Sequence, residues 1–234
     1  MNLEKRIPLL NSEYTTFHTN SYGAIIYARD IKSFLVVQRK HSYEFLLILR
    51  AMYRPSYLYL YIPNLHPQEM EHINCILREG KKYLYNLYKS LKFNMYHFEN
   101  TLEMFEKCRD IYVDLLSKHP GKELSWTFPK GKMNSYEKVE DTIKREYLEE
   151  VELDFPEYTH KSSDFIEDIY IGLFNCTIHD YYYIYIIDNA FELPEAIDNP
   201  EVACRKWISK NELYNYKILQ NTAHITHLLC LIIN

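Results

Sequence analysis

The chain has 234 residues, of which 47% are hydrophobic and 25% charged, and a formal net charge of −5 at pH 7. That length suits one large domain, or one domain carrying a substantial insertion, and the hydrophobic share is enough for a core, which excludes a disordered chain. The acidic balance argues against a generally basic nucleic-acid binder but leaves room for a local basic groove. Five cysteines with no C-x-x-C pair point to a reduced, cytoplasmic protein without a zinc site. The N-terminus MNLEKRIPLLNSEY lacks the apolar run of a secretory signal, and the longest apolar stretches, YYYIYII and HLLCLII, are too short to span a bilayer, so no membrane association is expected. The 23 tyrosines offer apolar bodies with polar tips, suited to wet clefts or base stacking, although codon bias in an AT-rich genome would explain them equally well.

In chain order, Tyr22–Arg29 and Phe34–Arg39 read as two β-rich strands joined by a polar turn containing Asp30 and Lys32. From Ser42 to Lys118 the pattern becomes helical. Ile73, Leu77, Leu84, Leu87 and Leu91 recur at helical spacing, Pro67-Gln68-Glu69 forms a helix start, and Met95 to Leu116 is a further helical stretch. Residues 42–118 therefore form a mainly helical insertion, splitting a domain made of residues 1–41 and 119–234. Leu124–Phe128 reads as a short strand leading into Pro129-Lys130-Gly131-Lys132, followed by a helix over Tyr136–Val151. Phe165–Cys176 and Tyr181–Asp188 read as paired strands, Cys204–Ile208 as another strand, and Asn211–Tyr216 and Leu219–Ile233 as terminal helices. His224 and His227 have no acidic partner motif and read as ordinary helix residues. Mixed strands and helices without regular alternation give an α+β class with a mixed sheet.

One stretch carries chemistry. Gly131, Glu137, Arg145, Glu146, Glu149, Glu150 and Leu153 match the pattern G-x5-E-x7-R-E-U-x-E-E-x-G-U (U apolar) at every defining position but one. A chance match of the six charged or glycine positions is on the order of one in ten million per start position. Glu146, Glu149 and Glu150 stand at i, i+3 and i+4, so a helix places three carboxylates on one face. Unpaired they repel one another; together they make an oxygen-rich site for Mg²⁺ or Mn²⁺. Val139, Ile143, Tyr147 and Val151 form the apolar stripe by which that helix packs on a sheet. Gly131 allows backbone to approach the site closely, and Glu137 and Arg145 are spaced to pair structurally. The departure is Glu152, where the pattern has a helix-ending glycine; a left-handed glutamate costs roughly 1 kcal/mol, or the helix ends differently.

This pattern resembles the Nudix box. Ser125-Trp126-Thr127-Phe128-Pro129-Lys130-Gly131-Lys132 is similar to the W-x-F-P-[KR]-G-K lead-in of mRNA-decapping subunits and, less completely, of diphosphoinositol polyphosphate phosphohydrolases. Ser21–Ile26 and Val37–Phe45 resemble the opening of Nudix decapping enzymes of large cytoplasmic DNA viruses, the African swine fever virus and giant-virus type.

The resemblance implies an α/β/α sandwich and metal-dependent hydrolysis of a diphosphate bond, with Mg²⁺ or Mn²⁺ held by Gly131, Glu146, Glu149 and Glu150. Pro200-Glu201-Val202 ahead of Trp207 is similar to a downstream segment whose glutamate is a metal ligand or general base, which adds Glu201. Glu146, Glu150 and Glu201 are the general-base candidates. Lys130 and Lys132 flank Gly131 and are expected to contact phosphate. The implied substrate is capped mRNA in a host cytoplasm, with m7GDP and 5′-monophosphate RNA as products. Inositol pyrophosphates or nucleotides are the alternative substrates, and a non-catalytic RNA-binding domain is a third reading. In the insertion, Arg78, Lys81, Lys82, Lys89 and Lys92 alternate with Tyr83, Tyr85, Tyr88 and Phe93, either as a single-stranded RNA surface or as a solvated helix face.

Overall fold

A computed structural model describes residues 18–171, 177–194, 199–216 and 218. The expected helix over Leu219–Ile233, with His224 and His227, lies outside these residues, as do Cys176, Cys230 and the N-terminal segment.

The sheet is organised around β1 (His18–Ala28), whose alternating residues supply both faces of the core. On one side β1 runs parallel to β6 (Thr177–Ile187), in register from His18↔Thr177 to Ala28↔Ile187. Its other edge is shared. The antiparallel partner β2 (Ser33–Arg39) meets it only at the hairpin end, through Tyr27↔Phe34 and Ala28↔Ser33. Farther along, β4 (Lys130–Lys132) pairs with it through Gly23↔Lys130, Tyr22↔Gly131 and Ser21↔Lys132. β2 diverges to pair with β3 (Trp126–Thr127) and along its length with β7 (Val202–Ser209), and β5 (His160–Ile171) closes the far edge against β6. The result is the expected mixed sheet in an α+β fold.

Each face is covered. Helix α7 (Val139–Val151) lays Ile143, Tyr147 and Val151 on Ala24, Ile26, Leu35, Val37, Tyr185 and Ile187. On the opposite face Ile25, Phe34, Val36, Tyr182 and Ile184 pack with Phe128 and with Leu213 of the last described helix (Lys210–Tyr216). The sequence expectation differed at two places that matter for the site. The strand expected over Leu124–Phe128 shrinks to Trp126–Thr127, and Lys130–Lys132 becomes a strand in its own right. Three residues are too few for a period to show. What builds β4 is a close approach: Ala24 donates its N–H to the Pro129 carbonyl at 3.0 Å, possible because any Cβ on Gly23 would strike that carbonyl and Lys130. The helix also starts later than Tyr136, because Glu137 turns inward to bind the Asn134 N–H and the Thr142 hydroxyl, each at 3.0 Å.

Residues 43–118 form six helices: α1 (Tyr43–Leu49), α2 (Leu58–Tyr61), α3 (Pro67–Glu79), α4 (Lys81–Ser90), α5 (Phe98–Lys107) and α6 (Arg109–Lys118). The periodicity that runs from Ile73 to Leu91 is broken at Gly80, whose φ of 62° and ψ of −138° belong to glycine. These helices share one apolar cluster, including Phe45, Tyr61, Ile73, Leu84, Tyr88 and Tyr112, separate from the two clusters on the sheet.

Glu69 locks the entrance to this cluster. It is 2% exposed. Its carboxylate accepts from the His66 N–H at 2.8 Å, closing the cap of α3, and from the Ser42 N–H and hydroxyl at 2.6 and 2.7 Å. Burial alone would raise its pKa, but these bonds and His41 hold it below the ordinary value. A buried carboxylate this well bonded leaves several orphaned donors when removed. Glu69→Ala is expected to destabilise the protein by about 2–4 kcal/mol in denaturant melts; a loss under about 0.5 kcal/mol would show that this lock is dispensable. The depressed pKa adds stability above pH 4.5 that is lost as pH falls below it, and the variant should lack that acid limb.

Candidate active site

The site forms where β4 passes under α7. Gly131 is pressed against Glu146: a Cβ at this position would overlap all three atoms of the Glu146 carboxyl group. The glycine required by the sequence pattern thus makes room for the acid itself. One residue earlier, the Lys130 N–H donates to Glu150 Oε2 at 3.0 Å. A three-residue strand therefore seats two of the three helix carboxylates. Burial pushes the Glu146 carboxyl above its ordinary value, opposed by Arg145 and reinforced by Glu149 and Glu201. Burial pushes Glu150 up to about 8, with Lys130 and Arg39 opposing and Glu146 and Glu201 adding. Glu150 is half-buried as a residue, but its carboxyl head is enclosed, and that is the part that titrates.

Arg145 organises the rest. Its Nε and one terminal nitrogen grip Glu137 at 2.6 and 3.0 Å, and the same nitrogen donates to the Lys132 carbonyl at 2.9 Å. Its other terminal nitrogen reaches Glu146 at 2.7 Å and Glu149 at 2.9 Å. The expected Glu137–Arg145 pairing is thus present and ties the loop before α7 to β4. It also holds Glu137 far below the ordinary carboxyl range.

The C-terminal end of α7 explains the departure at Glu152. This residue does adopt the left-handed conformation, φ 56° and ψ 32°, at a cost of about 1 kcal/mol relative to glycine. The end is held by Arg205, which is 8% exposed and donates to the Val151 carbonyl, with Glu152 at 3.4 Å. Asn199 is a second clasp. Its amide nitrogen donates to the Glu149 carbonyl, and its oxygen accepts from the N–H groups of Glu201 and Val202 at 2.8 and 3.0 Å. This brings exposed Glu201 to the acidic cluster, close enough for its charge to raise both Glu146 and Glu150. Asn199 and Arg205 were not anticipated: each acts on the end of a helix remote in sequence, and no local pattern marks them.

The flanking lysines lie elsewhere than their spacing suggested. Alternation along β4 turns Lys130 to the sheet face away from α7, where its ammonium pairs with Asp180, itself 2% exposed and held by the Ser21 hydroxyl. Lys132 is exposed. On the α7 face the register lines up Gly131, Tyr22, Tyr181 and Glu167 across four strands. Tyr22 and Tyr181 stack at 5.4 Å, with the edge of Phe165 on Tyr181 at 5.2 Å. Phe165 is 45% exposed, so this aromatic row, part-buried at Tyr22 and Tyr181, is open at its outer end. In the insertion, Arg78, Lys81, Lys82, Lys89 and Lys92 are all exposed, but Lys81 is paired with Glu99 and Arg78 with Glu79, while Tyr88 is buried in the core.

The donor set fits a hard divalent cation: it is all carboxylate, enclosed on one side and cradled by a glycine. Among the described residues no three such groups already converge as ligands. Arg145 bridges Glu146 and Glu149 with positive charge, so an ion would compete with its guanidinium for them. Glu146, Glu149, Glu150 and Glu201 are the groups that would hold it.

Because Glu150 holds its proton from about pH 4.5 to 8 in the folded protein and loses it near 4.5 when unfolded, its contribution to stability is full at low pH and lost as pH rises through 8. Thermal melts in chelator should therefore show stability falling between pH 5.5 and 8, and Glu150→Gln should flatten that slope and be more stable than wild type at pH 8. Identical slopes would mean that the carboxylate is not buried uncompensated. Added Mn²⁺ should remove the difference between pH values, since ligation favours the charged form.

A family model for the NUDIX domain matches residues 110–229, just over half of the chain. No curated protein matches. Solved structures similar to the chain include the MutT protein from Methanosarcina mazei (11% identity, 88% of each chain, TM-score 0.41) and the C. elegans Ap4A hydrolase (11%, 93% of this chain and 100% of that one, TM-score 0.45). A bifunctional NMN adenylyltransferase/ADP ribose pyrophosphatase from Francisella tularensis, complexed with AMP and a manganese ion, matches at 12% identity over 93% of this chain and 42% of its own (TM-score 0.47). The matched segment begins within α6, the last helix of the insertion, but β1 and β2 belong to the same sheet as the box that follows it. This chain is a member of the Nudix hydrolase family.

Proposed function

We propose that the protein removes the 5′ cap of mRNA, using Mg²⁺ or Mn²⁺ to hydrolyse the triphosphate bridge. The observation that carries this reading is the row Gly131–Tyr22–Tyr181, an open aromatic platform one strand away from the glycine that seats Glu146. A substrate whose diphosphate meets the carboxylates would lay an attached purine along that platform, where stacking is worth about 1–3 kcal/mol per base. Resemblance of the Trp126–Lys132 segment to decapping enzymes, and a helical insertion with exposed cations, support the same reading.

Bound Mg²⁺ or Mn²⁺ would supply positive charge to the phosphate oxygens and acidify water at neutral pH. The chain's own groups do the rest. Glu146, Glu149, Glu150 and Glu201 would hold the ions, and one of Glu146, Glu150 and Glu201 takes the proton from water as it adds to phosphorus. The bridging P–O bond breaks, giving m7GDP and 5′-monophosphate RNA. Gly131 leaves the space that seats the Glu146 carboxyl group throughout. Lys132, exposed beside the site, suits a phosphate contact, whereas Lys130 would first have to leave Asp180.

Product analysis on cap-labelled RNA with Mg²⁺ and Mn²⁺ tests the reading: m7GDP release supports it, and turnover confined to inositol pyrophosphate or free nucleotides sinks it. Glu149→Gln and Glu150→Gln should each lower turnover at least 100-fold at saturating Mn²⁺, about 3 kcal/mol of barrier, without loss of folding. Near-normal turnover in either would remove these carboxylates from the chemistry. Tyr181→Leu should raise KM for capped RNA about tenfold and leave hydrolysis of a base-free inositol pyrophosphate unchanged; an equal effect on both would reduce the platform to packing.

A further inference from the structure

A cavity of about 250 Å³ opens in the helical insertion, lined by Arg50, Tyr88, Lys92, Phe93, Asn94 and His97. It lies where α1 and α4 end and α5 begins. No carboxylate lines it, and neither Arg50 nor Lys92 forms an ion pair among the described residues. Some of this positive charge answers the helix ends. The C-termini of α1 and α4 each present about half a negative charge, while the N-terminus of α5 returns about half a positive one. Two full cations against that balance leave the cavity positive, in a protein whose net charge is −5. A concave positive site with an apolar wall focuses anions strongly.

The lining also fixes the guanidinium in place. Phe93 holds the Arg50 guanidinium over its face at 5.3 Å and is itself set edge-on against Tyr88 at 5.5 Å. Tyr88 is fixed in turn by its hydroxyl, which bonds the Leu49 carbonyl and Thr101. The guanidinium is thus placed by a rigid aromatic pair, as planar recognition of phosphate requires. Lys92 is presented from a left-handed residue, φ 53°, just past α4, stabilised by the Phe93 N–H to the Tyr88 carbonyl at 2.9 Å. The Asn94 amide nitrogen, whose oxygen accepts from the Tyr96 N–H at 2.9 Å, and the His97 ring supply polar edges against which a base could hydrogen-bond. The volume is just below the roughly 300 Å³ at which drug-sized sites begin, which suits one phosphate with one ring.

We propose that this cavity binds a single nucleoside-phosphate unit, its phosphate between Arg50 and Lys92. Such a unit could be a free nucleotide or one residue of a single-stranded RNA. The inference deepens the decapping reading, from which it takes the presence of RNA, but its test does not need catalysis. Full-length metal-free protein is titrated with a fluorescein-labelled ten-nucleotide RNA by anisotropy, and with AMP as competitor, for wild type, Arg50→Gln and Lys92→Gln. Each variant is expected to bind the RNA about five- to tenfold more weakly at low salt, with a salt slope shallower by about one. Melting temperature and turnover of a short nucleotide substrate should be unchanged. Competition by AMP that is lost in both variants assigns the cavity to free nucleotides as well; Arg50-dependent RNA binding without AMP competition assigns it to the strand. Wild-type affinity for both ligands in both variants overturns the proposal. If Arg50→Gln lowers the melting temperature, exposed Lys92 decides the matter alone. An unmutated protein that fails to release m7GDP yet shows Arg50-dependent binding would refute the decapping reading and leave this site standing.

Discussion

The site depends on one contact: the carboxyl group of Glu146 occupies the space that a side chain at Gly131 would fill. From this follow the pairing of β4 with β1, the seating of Glu150 on the Lys130 N–H, and the approach of the Lys132 carbonyl to Arg145. A second glycine makes the contact possible from below. Gly23 lets the Pro129 carbonyl reach the Ala24 N–H, which lifts the next residues into strand geometry against β1. Two missing side chains, more than a hundred residues apart, thus set the distance between sheet and helix.

Crowding acids on one helix face is electrostatically costly, and the structure distributes that cost. Arg145 neutralises Glu137, Glu146 and Glu149 from one side, while Arg39 acts on Glu150 from β2. Arg205 and Asn199 hold the end of the same helix, and with it the loop bearing Glu201. What remains is the burial of two carboxyl groups together with an excess of neighbouring negative charge, which raises Glu146 and Glu150 above their ordinary values. Excess of this kind favours a cation over a proton, and for that reason it is tolerable in a hydrolase domain.

The insertion solves its folding problem separately. Its six helices bury one another's apolar faces in a cluster that includes no sheet residue, and Glu69 ties the start of its third helix to the start of its first. An added unit with its own core leaves the sheet register undisturbed, so it can carry a different surface chemistry from the domain it interrupts.

The acids of α7 were legible because helical spacing converts i, i+3 and i+4 into one face, and because the partners Gly131 and Glu137 stand at fixed distances from them in the chain. The helical insertion, the paired strands β5 and β6, and the start of α3 at Pro67 were legible for the same reason: each is encoded by a local period or a local cap. Tertiary structure alone decided the strand at Lys130–Lys132 and the turn of Lys130 toward Asp180, because both depend on which strand lies alongside. It also decided the break at Gly80, the clasp of Asn199 on the Glu149 carbonyl, and the alignment of Tyr22 with Tyr181 beside the site. Among 23 tyrosines the sequence marks none, since a parallel pairing between strands about 160 residues apart leaves no trace in the spacing of either strand.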